Sequence, residues 1–70
     1  GPEKRAIRNL SIQLKKNRLK KGWSQEELAF RAGLDRTYIS DIERGLRNPS
    51  LKTLARLAFT LGSSIGSLCD

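Results

Sequence analysis

Gln25-Glu26-Glu27-Leu28-Ala29-Phe30-Arg31-Ala32-Gly33-Leu34-Asp35-Arg36-Thr37-Tyr38-Ile39-Ser40-Asp41-Ile42-Glu43-Arg44 is the stretch on which the fold turns. Just before it, Ser24 opens a capping box with Glu27: the serine oxygen accepts from the Glu27 amide while the Glu27 carboxylate reaches back. Trp23 before the cap and Leu28 at the fourth helical position make a hydrophobic staple. The helix so opened runs to about Ala32, and Gly33 supplies the left-handed conformation of a tight turn. The device then repeats. Leu34 precedes a cap at Asp35, Ile39 takes the fourth helical position, and this second helix of the pair ends near Arg44, with Gly45 after it.

Two short helices are thus joined by Gly33-Leu34-Asp35, with small Ala29 where they cross and Ile39 and Ile42 facing a core. That order gives the geometry of a helix-turn-helix over residues 25–44, whose second helix is shaped to lie in a DNA major groove. Outward from it, Ile7, Leu10 and Leu14 fall at i, i+3 and i+7 in a stretch without Gly or Pro. This predicts a first helix over 6–21, ended by Gly22. Leu10 to Lys15 also alternates apolar and polar as a strand would, but no turn signals bound it and Ile12 is its one β-branched residue. Helix is the reading. Leu46-Arg47-Asn48-Pro49 forms a loop, and Ser50 caps a fourth helix carrying Leu51, Leu54, Leu57, Ala58 and Leu61 until Gly62. Ser64 opens a short fifth helix with Ile65 and Leu68 inward, weakened by Gly66. The chain reads as all-α.

Composition narrows the chemistry. Seventy residues make one small domain. Cys69 is the single cysteine and histidine is absent, which excludes an internal disulfide, zinc sites of the Cys/His type and histidine-based nucleophilic catalysis. No enzyme activity, cofactor or metal is expected. No apolar run exceeds three residues, so no segment is expected to span a membrane. The formal net charge is +7, and residues 1–21 hold eight basic side chains against Glu3 alone. Such an excess points to a polyanionic partner. A solvated lysine-rich helix face and a phosphate-facing patch both fit it. Gly1-Pro2, without an initiator Met, reads as a protease-cleavage scar that leaves 3–70 as the domain. The lone thiol fits a reducing cytoplasm.

Gly22-Trp23-Ser24-Gln25-Glu26-Glu27-Leu28-Ala29, Ala32-Gly33-Leu34, Tyr38-Ile39-Ser40, Ile42-Glu43-Arg44-Gly45 and Asn48-Pro49-Ser50-Leu51 resemble the lambda-repressor/Cro-like helix-turn-helix family, the XRE family. The resemblance covers about residues 8–68. Leu34-Asp35-Arg36-Thr37-Tyr38-Ile39-Ser40 further resembles the controller proteins of restriction–modification systems. The family implies a compact five-helix domain that regulates transcription by binding double-stranded operator DNA, usually as a homodimer on a pseudo-palindrome. A bacterial or phage cytoplasm is the implied setting.

Carried over by position, the family places Gln25 against a phosphate, aided by the amides at its helix start. Arg36, Thr37, Ser40, Asp41 and Arg44 match DNA-facing positions, and Arg47 and Asn48 match a loop that meets the backbone or an outer base edge. Periodicity agrees, since Ile39 and Ile42 inward turn residues 36, 37, 40, 41 and 44 outward. Arg36 suits bidentate bonds to guanine, and Thr37 offers a methyl to thymine or a hydroxyl to phosphate. Ser40 lets the helix approach closely. Tyr38 suits packing against the preceding helix with its hydroxyl at a phosphate. Asp41 either accepts from cytosine or orients Arg36 or Arg44, the second being preferred. Against each stands the plainer reading of a solvated surface side chain. Arg18 and Glu43 match an interhelical ion pair of the family and are read as structural.

The chain departs from the family pattern at Asn17, where an aliphatic residue is usual, and at Phe30 and Phe59, usually polar. The two phenylalanines keep a second reading open, an antitoxin-like helical module that binds another protein.

Overall fold

Each predicted cap closes in the computed structural model, which describes residues 2–69. Ser24 Oγ accepts from the Glu27 amide at 3.0 Å, Asp35 Oδ1 from Thr37 at 2.7 Å, Ser50 Oγ from Thr53 at 3.2 Å and Ser64 Oγ from Ser67 at 3.0 Å. These caps open α2 (Gln25–Ala32), α3 (Arg36–Glu43), α4 (Leu51–Leu61) and α5 (Ile65–Cys69), all following α1 (Pro2–Lys21). The described residues are all-α, without a strand. One half of the capping box differs from expectation. The Glu27 carboxylate turns away from Ser24 and accepts from Arg31 Nε at 2.9 Å, one turn on, where a charged donor outcompetes an amide.

α1 starts at Pro2 rather than at residue 6. Proline is tolerated at a helix start because its missing N–H is unpaired there anyway, and Glu3 sits favourably against the positive end of the helix dipole. Arg18, Lys20 and Lys21 suit the opposite end. Of the dipeptide read as a scar, Gly1 lies outside the described residues, as does Asp70 at the far end.

The helix ends share one mechanism. Leu34 N–H donates to Ala29 C=O at 2.8 Å and Gly33 N–H to Phe30 C=O at 3.2 Å, the paired bonds of a Schellman turn. Gly33 has φ +69°, which an L side chain rarely adopts. The same pair of bonds recurs after α1, α3 and α4 around Gly22, Gly45 and Gly62.

Leu10 and Leu14 of α1, Leu28, Ala29 and Ala32 of α2, Ile39 and Ile42 of α3, Leu57, Ala58 and Leu61 of α4 and Leu68 of α5 form the core. Trp23, Leu34, Tyr38, Leu54 and Ile65 pack against its margin. Leu51 does not join it. At the first position of α4 it lies beyond the edge of the core and is 69% exposed. Asn17 finds polar partners in place of an aliphatic neighbour: Nδ2 donates to Gln13 C=O at 2.8 Å, and Ser63 Oγ donates to Oδ1 at 3.3 Å. α3 is held between α1 and α2, with the side opposite Ile39 and Ile42 left open.

Candidate nucleic-acid interface

Charge placement inside the fold decides which cations are available to a ligand. Arg18 is not. Its Nε donates to Glu43 Oε2 at 2.7 Å, its Nη2 to Glu43 Oε1 at 2.9 Å and its Nη1 to the Trp23 carbonyl at 2.8 Å. The two side chains are 9% and 4% exposed, so this is a buried two-point ion pair between α1 and α3. The hydrogen bond to Glu43 raises the Arg18 pKa further above its usual high value, although burial opposes it. The guanidinium therefore stays charged while the protein is folded.

Gln25, the first residue of α2, joins the same network. Its Nε2 donates to Glu43 Oε1 at 3.2 Å, which fixes the half-buried amide beside the start of α2 and leaves its second N–H for another acceptor. Nothing in local sequence signals this contact, because residues 25 and 43 meet only once the turn at Gly33 has folded α3 back.

Arg36 and Thr37 are exposed on α3 and Arg44 at its C-terminal cap, whereas Tyr38, Ser40 and Asp41 are half-buried at its flanks. Neither Arg36 nor Arg44 forms an ion pair among the described residues. Asp41 lies beside a different arginine from the two expected: its Oδ2 is 3.7 Å from Arg47 Nη2. The turn at Gly45 carries the following loop back over α3, so the Arg47 guanidinium also stacks on the Tyr38 ring at 4.7 Å from its centre. Arg44, one residue before that turn, is exposed and borders a cleft with Lys4, Ile7 and Arg8 of α1. Asn48 is exposed beyond Arg47. Gln25, Arg36, Thr37, Tyr38, Ser40, Asp41, Arg44, Arg47 and Asn48 thus come from the start of α2, from α3 and its C-terminal cap, and from the loop after it. Phe30 and Phe59 are 82% and 88% exposed and belong to α2 and α4, outside this set.

The sequence pattern of the helix-turn-helix family HTH_3, of XRE type, matches residues 14–68. The chain belongs to this helix-turn-helix family. A helix-turn-helix relative described as a Neisseria hypothetical transcription factor, from Neisseria meningitidis serogroup B, is 47% identical over 53 residues, covering 76% of this chain and 50% of that protein. The crystal structure of the hypothetical transcription factor NHTF from Neisseria superposes with a TM-score of 0.90 at 40% identity, covering 93% of this chain and 75% of that one. Control protein C.BamHI of Bacillus amyloliquefaciens is 51% identical over 51 residues, 73% of this chain and 63% of that protein. The restriction–modification controller protein C.Esp1396I, solved as a tetramer on its natural 35 base-pair operator, matches with a TM-score of 0.79 at 38% identity over 93% of this chain and 96% of that one. The chain spans between half and about two thirds of the curated relatives named. These relatives bear the names of a transcription factor and of control proteins.

Proposed function

We propose that this chain is a sequence-specific double-stranded DNA-binding unit of a transcription regulator, with α3 in the major groove. The observation that carries the reading is the exposed pair Arg36 and Thr37, with Arg44 at the C-terminal cap, on a helix whose opposite side is locked by fully buried Ile39 and Ile42. A rigid helix with free cations suits a groove that is lined by phosphates and read at base edges. Likeness to a controller protein seated on its operator supports it.

Within this reading Arg36 takes a guanine edge, Thr37 and Ser40 allow close approach, and the free amide hydrogen of Gln25 meets a phosphate together with the open amides of α2. Asp41 and Tyr38 hold Arg47 against the backbone, with Asn48 beside it. Two copies on inverted half-sites double the contacts of one short helix, so the bound form is a homodimer in a bacterial or phage-like cytoplasm. The binding domain is assigned to residues 3–70, and Pro2 lengthens its first helix at the start.

Titration of a duplex with the protein from low to physiological salt tests the proposal. Log K is expected to fall linearly with log salt, with a slope of about −0.9 per phosphate contact. Affinity that ignores salt, or the absence of binding, contradicts it.

A further inference from the structure

Seven units of net charge in the first 21 residues are more than α3 and its loop explain, and the fold sorts them by side. Arg18 marks the side of α1 that faces α3. At about 100° per residue, Lys4 and Arg8 fall about 40° and 80° from it, whereas Lys16 and Lys20 fall about 160° away, on the opposite side. Lys4 and Arg8 meet Arg44 around a cleft of about 340 Å³ between the first turns of α1 and the C-terminal end of α3. Ile7, Ser11 and Gly45 complete the lining, so it contains three cations and no acid. The Ser11 hydroxyl is committed to the Arg8 carbonyl at 2.7 Å. None of the three cations forms an ion pair among the described residues.

Three like charges gathered around one opening, from two elements, repel one another unless an anion sits between them. The geometry points to a phosphate seat made by Lys4, Arg8 and Arg44, which grips the DNA backbone flanking the groove that α3 enters. This rests on the DNA-binding reading above and adds two residues of α1 to it. Arg36 opens α3 and Arg44 is its C-terminal cap, eight residues on and about 12 Å along the helix axis. A groove that holds α3 is bordered by phosphate strands beside that helix, and the seat lies at the Arg44 end of α3, where Lys4 and Arg8 line the same cleft. A phosphodiester in this seat is met by charge, so the seat contributes affinity and orientation without sequence preference.

Two double variants with the same net charge test it: Lys4→Gln/Arg8→Gln and Lys16→Gln/Lys20→Gln. All four side chains are exposed, and thermal melting confirms that each variant is folded. Binding is measured across a salt series to a duplex enriched from a random pool and to an unrelated duplex of equal length. Lys4→Gln/Arg8→Gln is expected to flatten the salt slope by about 1 to 2 per protomer and to weaken both duplexes about tenfold or more at low salt, with the preference between them kept. Lys16→Gln/Lys20→Gln is expected to change the slope by less than half as much. Equal losses in the two variants would mean a diffuse field and overturn the seat, as would an unchanged Lys4→Gln/Arg8→Gln protein. Wild-type protein that binds neither duplex overturns the DNA-binding reading and the seat together.

Discussion

Arg18 and Glu43 lie 25 positions apart and meet through two charge-assisted hydrogen bonds of 2.7 and 2.9 Å, with Gln25 donating to the same carboxylate. One acid thereby joins α1, the start of α2 and the end of α3, three elements that must keep their mutual angles for α3 to fit a groove. Burial makes the pair costly to break and of small net worth when whole.

Glu43→Ala is accordingly expected to lower stability by about 3–5 kcal/mol, because Arg18 is left charged and buried. For a domain of this size that is a fall in melting temperature of about 12 °C or more, against little change for the exposed control Glu26→Ala. Replacing both partners with apolar residues, Arg18→Met with Glu43→Leu, is expected to regain much of the loss. Calorimetry of the four proteins checks the series, and a Glu43→Ala shift no larger than the control contradicts the pairing.

Base reading and anchoring separate in a second experiment. Arg36→Ala is expected to relax preference at one base position and to cost about 1–3 kcal/mol of binding. Gln25→Ala is expected to weaken all sequences alike and also to lower melting slightly, since Glu43 loses a donor. Binding profiles over a randomised duplex library distinguish the two, and the reverse pattern exchanges their roles.

Two glycines are expected to respond in opposite directions. Gly22 has φ +74° with nothing within 4 Å of an added Cβ, so Gly22→Ala isolates the cost of the left-handed backbone, about 1–2 kcal/mol. Gly66 lies inside α5 at an ordinary φ, where an added Cβ meets Ser64 Oγ at 3.9 Å. Gly66→Ala is expected to stabilise by about 0.5–1 kcal/mol by lowering unfolded-chain entropy. Melting curves of both variants carry the test.

These helix ends also show which features were legible in the sequence. Ser24, Asp35, Ser50 and Ser64 cap within three residues of themselves, and Gly22, Gly33, Gly45 and Gly62 each end a helix by local bonds, so one-dimensional pattern sufficed. The outward course of Arg36, Thr37 and Arg44 followed from the period of Ile39 and Ile42. Partners set by tertiary approach were not legible. Asp41 meets Arg47, rather than Arg36 or Arg44, because the turn at Gly45 folds the loop over Tyr38. Gln25 meets Glu43 across the inter-helix turn, and Arg44 shares a cleft with Lys4 and Arg8 of α1. Features with weak local signals were not legible for a related reason: Pro2 extends α1 where no apolar period marks it, and Leu51, at the expected start of α4, lies past the core it matches in spacing.

The central claim, that α3 reads duplex sequence, is tested most directly by selecting bound duplexes from a random pool and sizing the complex by sedimentation. The expected result is an enriched inverted repeat with half-sites one helical turn apart, occupied by two chains and lost in Arg36→Ala. A pool that stays random after repeated selection, with binding that is uniform across sequences, contradicts it.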